Sequence, residues 1–171
     1  AVWIGRQAAQ ALGALHDSGY LHGDVKPANL FIAPHGHVTL IDLGFARRLD
    51  ESGSAVNRLV LGTINYLAPE LLLSAVRAGA QSDIFSLGVV FFEMLTGRVP
   101  LGARNVADLL QMHNEYRPPN LRAICPDVPA ALAALVRQML FREPLRRPQS
   151  MSEVVDRLVR LEIETLADRA A

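Results

Sequence analysis

The apolar positions of this chain fall into separable rhythms. Between Val2 and His16, Ile4, Ala8, Ala11, Leu12 and Leu15 return at helical spacing and predict one amphipathic helix. The period then shortens. Asn29-Leu30-Phe31-Ile32-Ala33 and Val38-Thr39-Leu40-Ile41 are apolar runs parted by Pro34-His35-Gly36-His37, which reads as a β-hairpin. From Ile84 to Leu95 nearly every residue is apolar, but the run is too short for a membrane span and carries Glu93. It predicts a buried helix ending near Gly97. The Pro-, Gly- and Arg-rich stretch from Thr96 to Pro129 holds a short helix around Val106 to His113. Met151, Val154, Val155, Leu158 and Leu161 mark an amphipathic closing helix, better suited to core packing than to a partner. The expected fold class is mainly α, a helical bundle with one small β-hairpin, without repeats or low-complexity segments.

Composition narrows the function more by exclusion than by suggestion. A chain of 171 residues buries about two-thirds or more of its unfolded surface, enough for a real core. Half the residues are apolar and the formal net charge is zero. That balance argues against disorder and offers no electrostatic case for nucleic acid or an anionic membrane. Cys125 is the single cysteine, so an internal disulfide is excluded and a reducing compartment fits. No signal peptide is visible, and a cytoplasmic location is expected, with any membrane anchor lying outside this segment. His35 and His37 lack nearby cysteine or carboxylate partners and read as a solvated turn.

The candidate chemistry sits between the first helix and the hairpin. Lys26 is the only lysine, beside sixteen arginines, and lies within His22-Gly23-Asp24-Val25-Lys26-Pro27-Ala28-Asn29. A lysine kept there suggests a need for a compact point charge rather than a planar fork. The hairpin ends in Asp42-Leu43-Gly44 and so returns Asp42 beside the loop carrying Asp24 and Asn29. Hard oxygen donors of this kind suit Mg²⁺ held together with substrate phosphates. The reaction class implied is phosphoryl transfer from a metal-bound nucleotide.

On these residues the chain resembles the eukaryotic-like serine/threonine protein kinase family. His22-Gly23-Asp24 through Asn29 is similar to its catalytic loop, and Asp42-Leu43-Gly44 to its magnesium motif. Gly62-Thr63-Ile64-Asn65-Tyr66-Leu67-Ala68-Pro69-Glu70 resembles the end of its activation segment. Ser82-Asp83-Ile84-Phe85 resembles the start of its central helix, and Arg146-Arg147-Pro148 its late arginine motif. The resemblance implies ATP as co-substrate, Mg²⁺ as cofactor and a protein serine or threonine as acceptor. It implies Asp24, Lys26 and Thr63 as catalytic residues, with Asp24 handling the substrate hydroxyl and Thr63 fixing Asp24 and Lys26. Lys26, Asn29, Phe31 and Asp42 would contact the nucleotide, and Asn29 and Asp42 the metal. His22, Glu70, Asp83 and Arg147 would be structural, Glu70 and Arg147 as a buried ion pair. Val60, Ile64 and Leu67 would form a pocket favouring an apolar residue after the target hydroxyl. Glu93 would either meet a basic substrate residue or serve packing.

Departures from that pattern carry their own expectations. Gly23 stands where the family usually has an arginine that pairs with an activation-segment phosphate, and Leu59 stands where that phosphate is often carried. Activity independent of that phosphorylation is therefore expected, although Ser52 and Ser54 remain modifiable. No two glycines are separated by a single residue, and no second lysine exists, so the family's glycine-rich loop and strand lysine are missing. Residues 1–171 are thus expected to be the C-terminal lobe of a kinase domain whose N-terminal lobe lies upstream. Alone, the lobe should be nearly inactive and self-associate through a cleft floor that includes Phe31, Val90 and Met94. The alternative reading is a pseudokinase or scaffold that keeps the fold for binding; retention of Asp24, Lys26, Asn29, Asp42 and Thr63 favours the enzyme.

Overall fold

Helix α1 spans Val2–Asp17 in the computed structural model, which describes residues 1–49, 64–72 and 79–170. Its buried side chains are Gly5, Ala8, Ala9 and Leu12, while Ile4, Ala11 and Leu15 are only partly covered. The buried face is rotated toward the smallest residues because α1 lies close against a second helix. A β-carbon on Gly5 would fall inside the Phe91 ring of that helix, α2, which spans Ala80–Thr96.

Helix α2 is the axis of the domain. Its apolar run is buried from Ile84 to Phe92, and it ends where Gly97 adopts a left-handed φ of 73°, as an αL cap requires. It packs against α1 and against α5, Ala130–Met139, where Gly88 brings its backbone under Met139. Short α3 (Val106–Asn114) and α4 (Leu121–Ile124) lie in the 96–129 stretch. The closing helix α6, Met151–Ala170, buries Met151, Val154, Leu158 and Leu161 along α1. One continuous core results, with a satellite of Ile64, Leu72, Ala103 and Leu109 beneath the 64–72 segment.

The strands are few and short. Tyr20–Leu21 (β1) pairs antiparallel with Arg47–Arg48 (β4), and Leu30–Ile32 (β2) with Val38–Leu40 (β3), in the register Leu30↔Leu40 and Ile32↔Val38. The second pair is the expected hairpin; its turn is closed by Gly36 at φ 85°. β1 and β4 bracket both the loop and the hairpin. They therefore hold residues 22–46 as one excursion on the end of α1. The chain is mainly helical with a small hairpin, as its apolar pattern indicated. Val90 departs from expectation: it is 1% exposed, because that face of α2 is enclosed within the core, so it is no part of an open cleft floor.

Candidate active site

Asp83, in the first turn of α2, anchors the loop from below. Its Oδ2 accepts from the His22 backbone N–H at 2.9 Å and its Oδ1 from that of Gly23 at 3.0 Å. The same Oδ2 lies 2.8 Å from His16 Nε2 at the end of α1. A carboxylate accepts only, so His16 carries its proton on Nε2. Asp83 is 2% exposed, and three N–H groups together supply the partners that a buried carboxylate requires. His16 went unforeseen in the sequence, since its partner stands 67 residues away and no local pattern announces it.

The loop turns at Gly23, whose φ of 77° suits glycine and would strain an arginine. His22 is fully buried and links two segments. Its Nδ1 accepts from the Asp24 backbone N–H at 3.2 Å, which fixes the proton on Nε2, and Nε2 then donates to the Ile41 carbonyl at 3.2 Å. One imidazole thus ties the loop to the residue before Asp42.

Asp24 is 7% exposed and heavily engaged through one oxygen. Lys26 Nζ lies 2.7 Å from Asp24 Oδ2, and Asn29 Nδ2 donates to the same oxygen at 3.0 Å and to the Asp24 carbonyl at 2.8 Å. Oδ1 stands outside these contacts. Because both Asn29 bonds use the amide nitrogen, its Oδ1 faces away as an acceptor, the polarity a cation needs. The Asn29 carbonyl accepts from the Ile41 N–H at 3.0 Å, which closes the hairpin base beside Asp42.

Asp42 is exposed and sits at φ 64°, the only non-glycine at positive φ among the described residues. Its Oδ1 accepts from Gly44 N–H at 3.2 Å, and a β-carbon on Gly44 would stand 3.0 Å from that oxygen and crowd the bond. A left-handed aspartate is tolerated at a cost of about 1–3 kcal/mol, a strain that recurs at functional sites. Among the described residues no group of three His, Cys, Asp or Glu side chains could hold a metal alone. Asn29 and Asp42 supply two hard oxygen groups, a donor set that fits Mg²⁺ shared with phosphates rather than an all-protein cage.

The remaining expected residues are placed as follows. Phe31 is 57% exposed beside the hairpin base, with Leu43 also open and Met94 partly buried. Thr63, Val60, Leu59, Ser52 and Ser54 lie outside the described residues. Ile64 is buried and Leu67 half-buried. Tyr66 Oη donates to Glu93 Oε2 at 2.6 Å, so Glu93 already has a partner; burial, with the Glu93 bond second, pushes the Tyr66 hydroxyl far above its usual range. Glu70 and Arg147 form a buried bidentate pair at 2.7 and 2.8 Å, and Ser82 Oγ donates to Glu70 at 2.7 Å. Among the described residues, the hydrogen bonds of these three side chains go elsewhere than to the loop.

Comparison with known proteins supplies the family. The description "Protein kinase domain" matches residues 2–158. The serine/threonine-protein kinase PknB of Mycolicibacterium smegmatis is 38% identical over 165 residues, covering 94% of this chain and 26% of that protein. The serine/threonine-protein kinase PknA of Mycobacterium tuberculosis is 34% identical over 150 residues, 88% of this chain and 34% of its own length. A probable serine/threonine-protein kinase, pknA2, of Bifidobacterium longum is 31% identical over 155 residues, 91% of this chain and 20% of its own length. This chain therefore spans between a fifth and about a third of these relatives.

Proposed function

The chain belongs to the protein kinase domain family, and from that premise we propose that it is the C-terminal lobe of a protein serine/threonine kinase that transfers the γ-phosphoryl group of Mg-ATP to a protein hydroxyl. The observation that carries this reading is the arrangement around Asp24: one carboxylate oxygen held by Lys26 and Asn29, the other left for an incoming hydroxyl.

Each group then has a task. Asp24 orients the acceptor hydroxyl and takes its proton, and Lys26 balances charge on the transferring phosphoryl; by the family resemblance Thr63 would steady both. Asn29 Oδ1 and the Asp42 carboxylate would hold magnesium, which when bound neutralises phosphate charge, and Phe31 would offer an apolar surface to the nucleotide. Catalysis of this kind is mostly positioning, so the Asp83 anchor matters as much as the acceptor of the proton. The pseudokinase reading gives no reason for a buried Asp24 and Asn29, joined by a partly exposed Lys26, to be gathered on one carboxylate oxygen with the other left out of these contacts.

The finer features follow from the same site. The glycine-rich loop and strand lysine belong to an N-terminal lobe outside residues 1–171. Without it, Phe31, Ile32, Ile41 and Leu43 leave an apolar surface that favours self-association, which sedimentation of the 171-residue lobe reports. Ile64 and Leu67, with Val60, favour an apolar residue after the target serine or threonine, and a peptide array reads that preference. With Gly23 in the loop no guanidinium is present there to read an activation-segment phosphate; phosphatase treatment should leave activity unchanged. No helix among the described residues is long and apolar enough to cross a membrane, and we place the domain where ATP is, in the cytoplasm. The primary test is transfer of labelled γ-phosphate from ATP to a peptide by the native protein. It should require Mg²⁺ and fall with Asp42→Ala; transfer indifferent to EDTA would refute the assignment.

A further inference from the structure

The metal-facing residues Asn29 and Asp42 flank the base of the hairpin, one just before β2 and the other two residues beyond β3. A two-stranded sheet of three residues a side is marginal by itself, and a slip of one residue would turn its side chains to the wrong faces. At the base, the Asn29–Ile41 bond and His22 hold it. At the tip, the support comes from α1. Gln7 Nε2 donates to the Gly36 carbonyl at 2.9 Å, and Gln7 Oε1 accepts from the Val38 N–H at 3.2 Å. Trp3 Nε1 donates to the same Gly36 carbonyl at 3.1 Å. One amide thus grips an acceptor and a donor two residues apart where the turn enters β3, so β3 cannot slide along α1 without losing both.

We propose that Gln7, assisted by Trp3, is a positioning residue for the metal site: by fixing hairpin register against α1 it sets how Asn29 and Asp42 face one another. The proposal rests on the kinase reading given above. It differs from simple stabilisation because α1 is held independently by α2 and α6, so loss of the grip leaves the fold standing and loosens only the hairpin. Val38, 5% exposed, keeps its place in the core and limits the loss to the orientation of the hairpin on α1.

The test uses the native full-length protein with Gln7→Ala, Gln7→Glu and Trp3→Phe. Mn²⁺ serves as the probe, its binding in the presence of ATP measured by electron paramagnetic resonance, alongside amide exchange of the hairpin and the Mg²⁺ dependence of turnover. Loss of a hydrogen bond of this kind corresponds to about a threefold to tenfold weaker metal affinity for Gln7→Ala. Turnover should recover at saturating Mg²⁺, with KM for peptide unchanged and hairpin amides exchanging faster. Gln7→Glu keeps the acceptor for Val38 but sets an oxygen against the Gly36 carbonyl, so it should be no better than alanine. Trp3→Phe, which removes a single donor, should lie between Gln7→Ala and wild type. Metal affinity equal to wild type in Gln7→Ala, whatever its melting temperature, overturns the proposal. Failure of the wild-type protein to bind Mn²⁺ with ATP would instead bring down the kinase reading, and this one with it.

Discussion

Arg147 is the side chain whose loss should cost the most. It is 1% exposed, and all its N–H directions are used: Nε to the Phe141 carbonyl, Nη1 to Glu70 and the Gln81 carbonyl, Nη2 to Glu70 and the Arg142 carbonyl, at 2.7 to 2.8 Å. The guanidinium also stands 4.9 Å from the Phe85 ring centroid. In Arg147→Ala the Glu70 carboxylate stays buried with Ser82 Oγ as its remaining donor, so the penalty is that of an unpaired interior charge, about 3–5 kcal/mol. For a domain of this size each kcal/mol moves the melting temperature by about 2–4 °C, which predicts a fall of roughly 6–20 °C. Calorimetry of the single variant and of Arg147→Met with Glu70→Gln separates charge from packing. The double variant should recover much of the loss, because no uncompensated charge remains. A single variant melting within about 2 °C of wild type, or a double variant no better than the single, would refute the reasoning.

Other expectations follow from contacts elsewhere. Gly5→Ala drives a methyl into the Phe91 ring and should destabilise by about 1–3 kcal/mol or more, read from the urea midpoint; no change would mean that α1 and α2 sit further apart than described. Asp83→Asn sets an amide N–H₂ against at least one of three donors and should lower kcat about tenfold to a hundredfold with little change in nucleotide KM; an unaltered kcat would disprove the anchor. His113 is 3% exposed and packed against Phe85 and Tyr116. Burial lowers its pKa from 6.5 to about 4; Arg142 and Arg147 add to this, while Glu70 and the Leu67 backbone oppose it. The unfolded chain therefore binds a proton that the folded one refuses: stability is whole above pH 6.5 and declines as the pH falls, by about 3 kcal/mol near pH 4. Urea midpoints for wild type and His113→Phe across this range should diverge in slope, and parallel curves would remove His113 from the account.

What the sequence revealed depended on how local each signal was. The central helix, its glycine stop, the hairpin and the closing helix are written in runs of adjacent residues, so periodicity and turn residues located them. Helix α5 was not assigned from the sequence, although Leu132, Leu135, Val136 and Met139 recur at helical spacing. The two-residue pairing of β1 with β4 leaves no periodicity to detect. Asp24, Lys26, Asn29 and Asp42 stood out in the sequence by residue type and spacing, and the structure brings Asp24, Lys26 and Asn29 into contact. The residues that hold them did not stand out. His16, Gln7 and Trp3 are ordinary members of an amphipathic helix until tertiary folding brings Asp83 and the hairpin turn to them. Val90 was misplaced for a related reason: apolar character does not say which side of a helix the core will enclose.

The central claim is that Asp24 serves the acceptor hydroxyl while Asn29 and Asp42 serve the metal-bound nucleotide. It is tested most directly by measuring γ-phosphoryl transfer and ATP binding side by side in the native protein and its Asp24→Ala variant. Transfer should fall by about a hundredfold to ten-thousandfold while Mg-ATP affinity stays within a few-fold of wild type. Transfer that survives Asp24→Ala would contradict the account and leave the loop without its assigned chemistry.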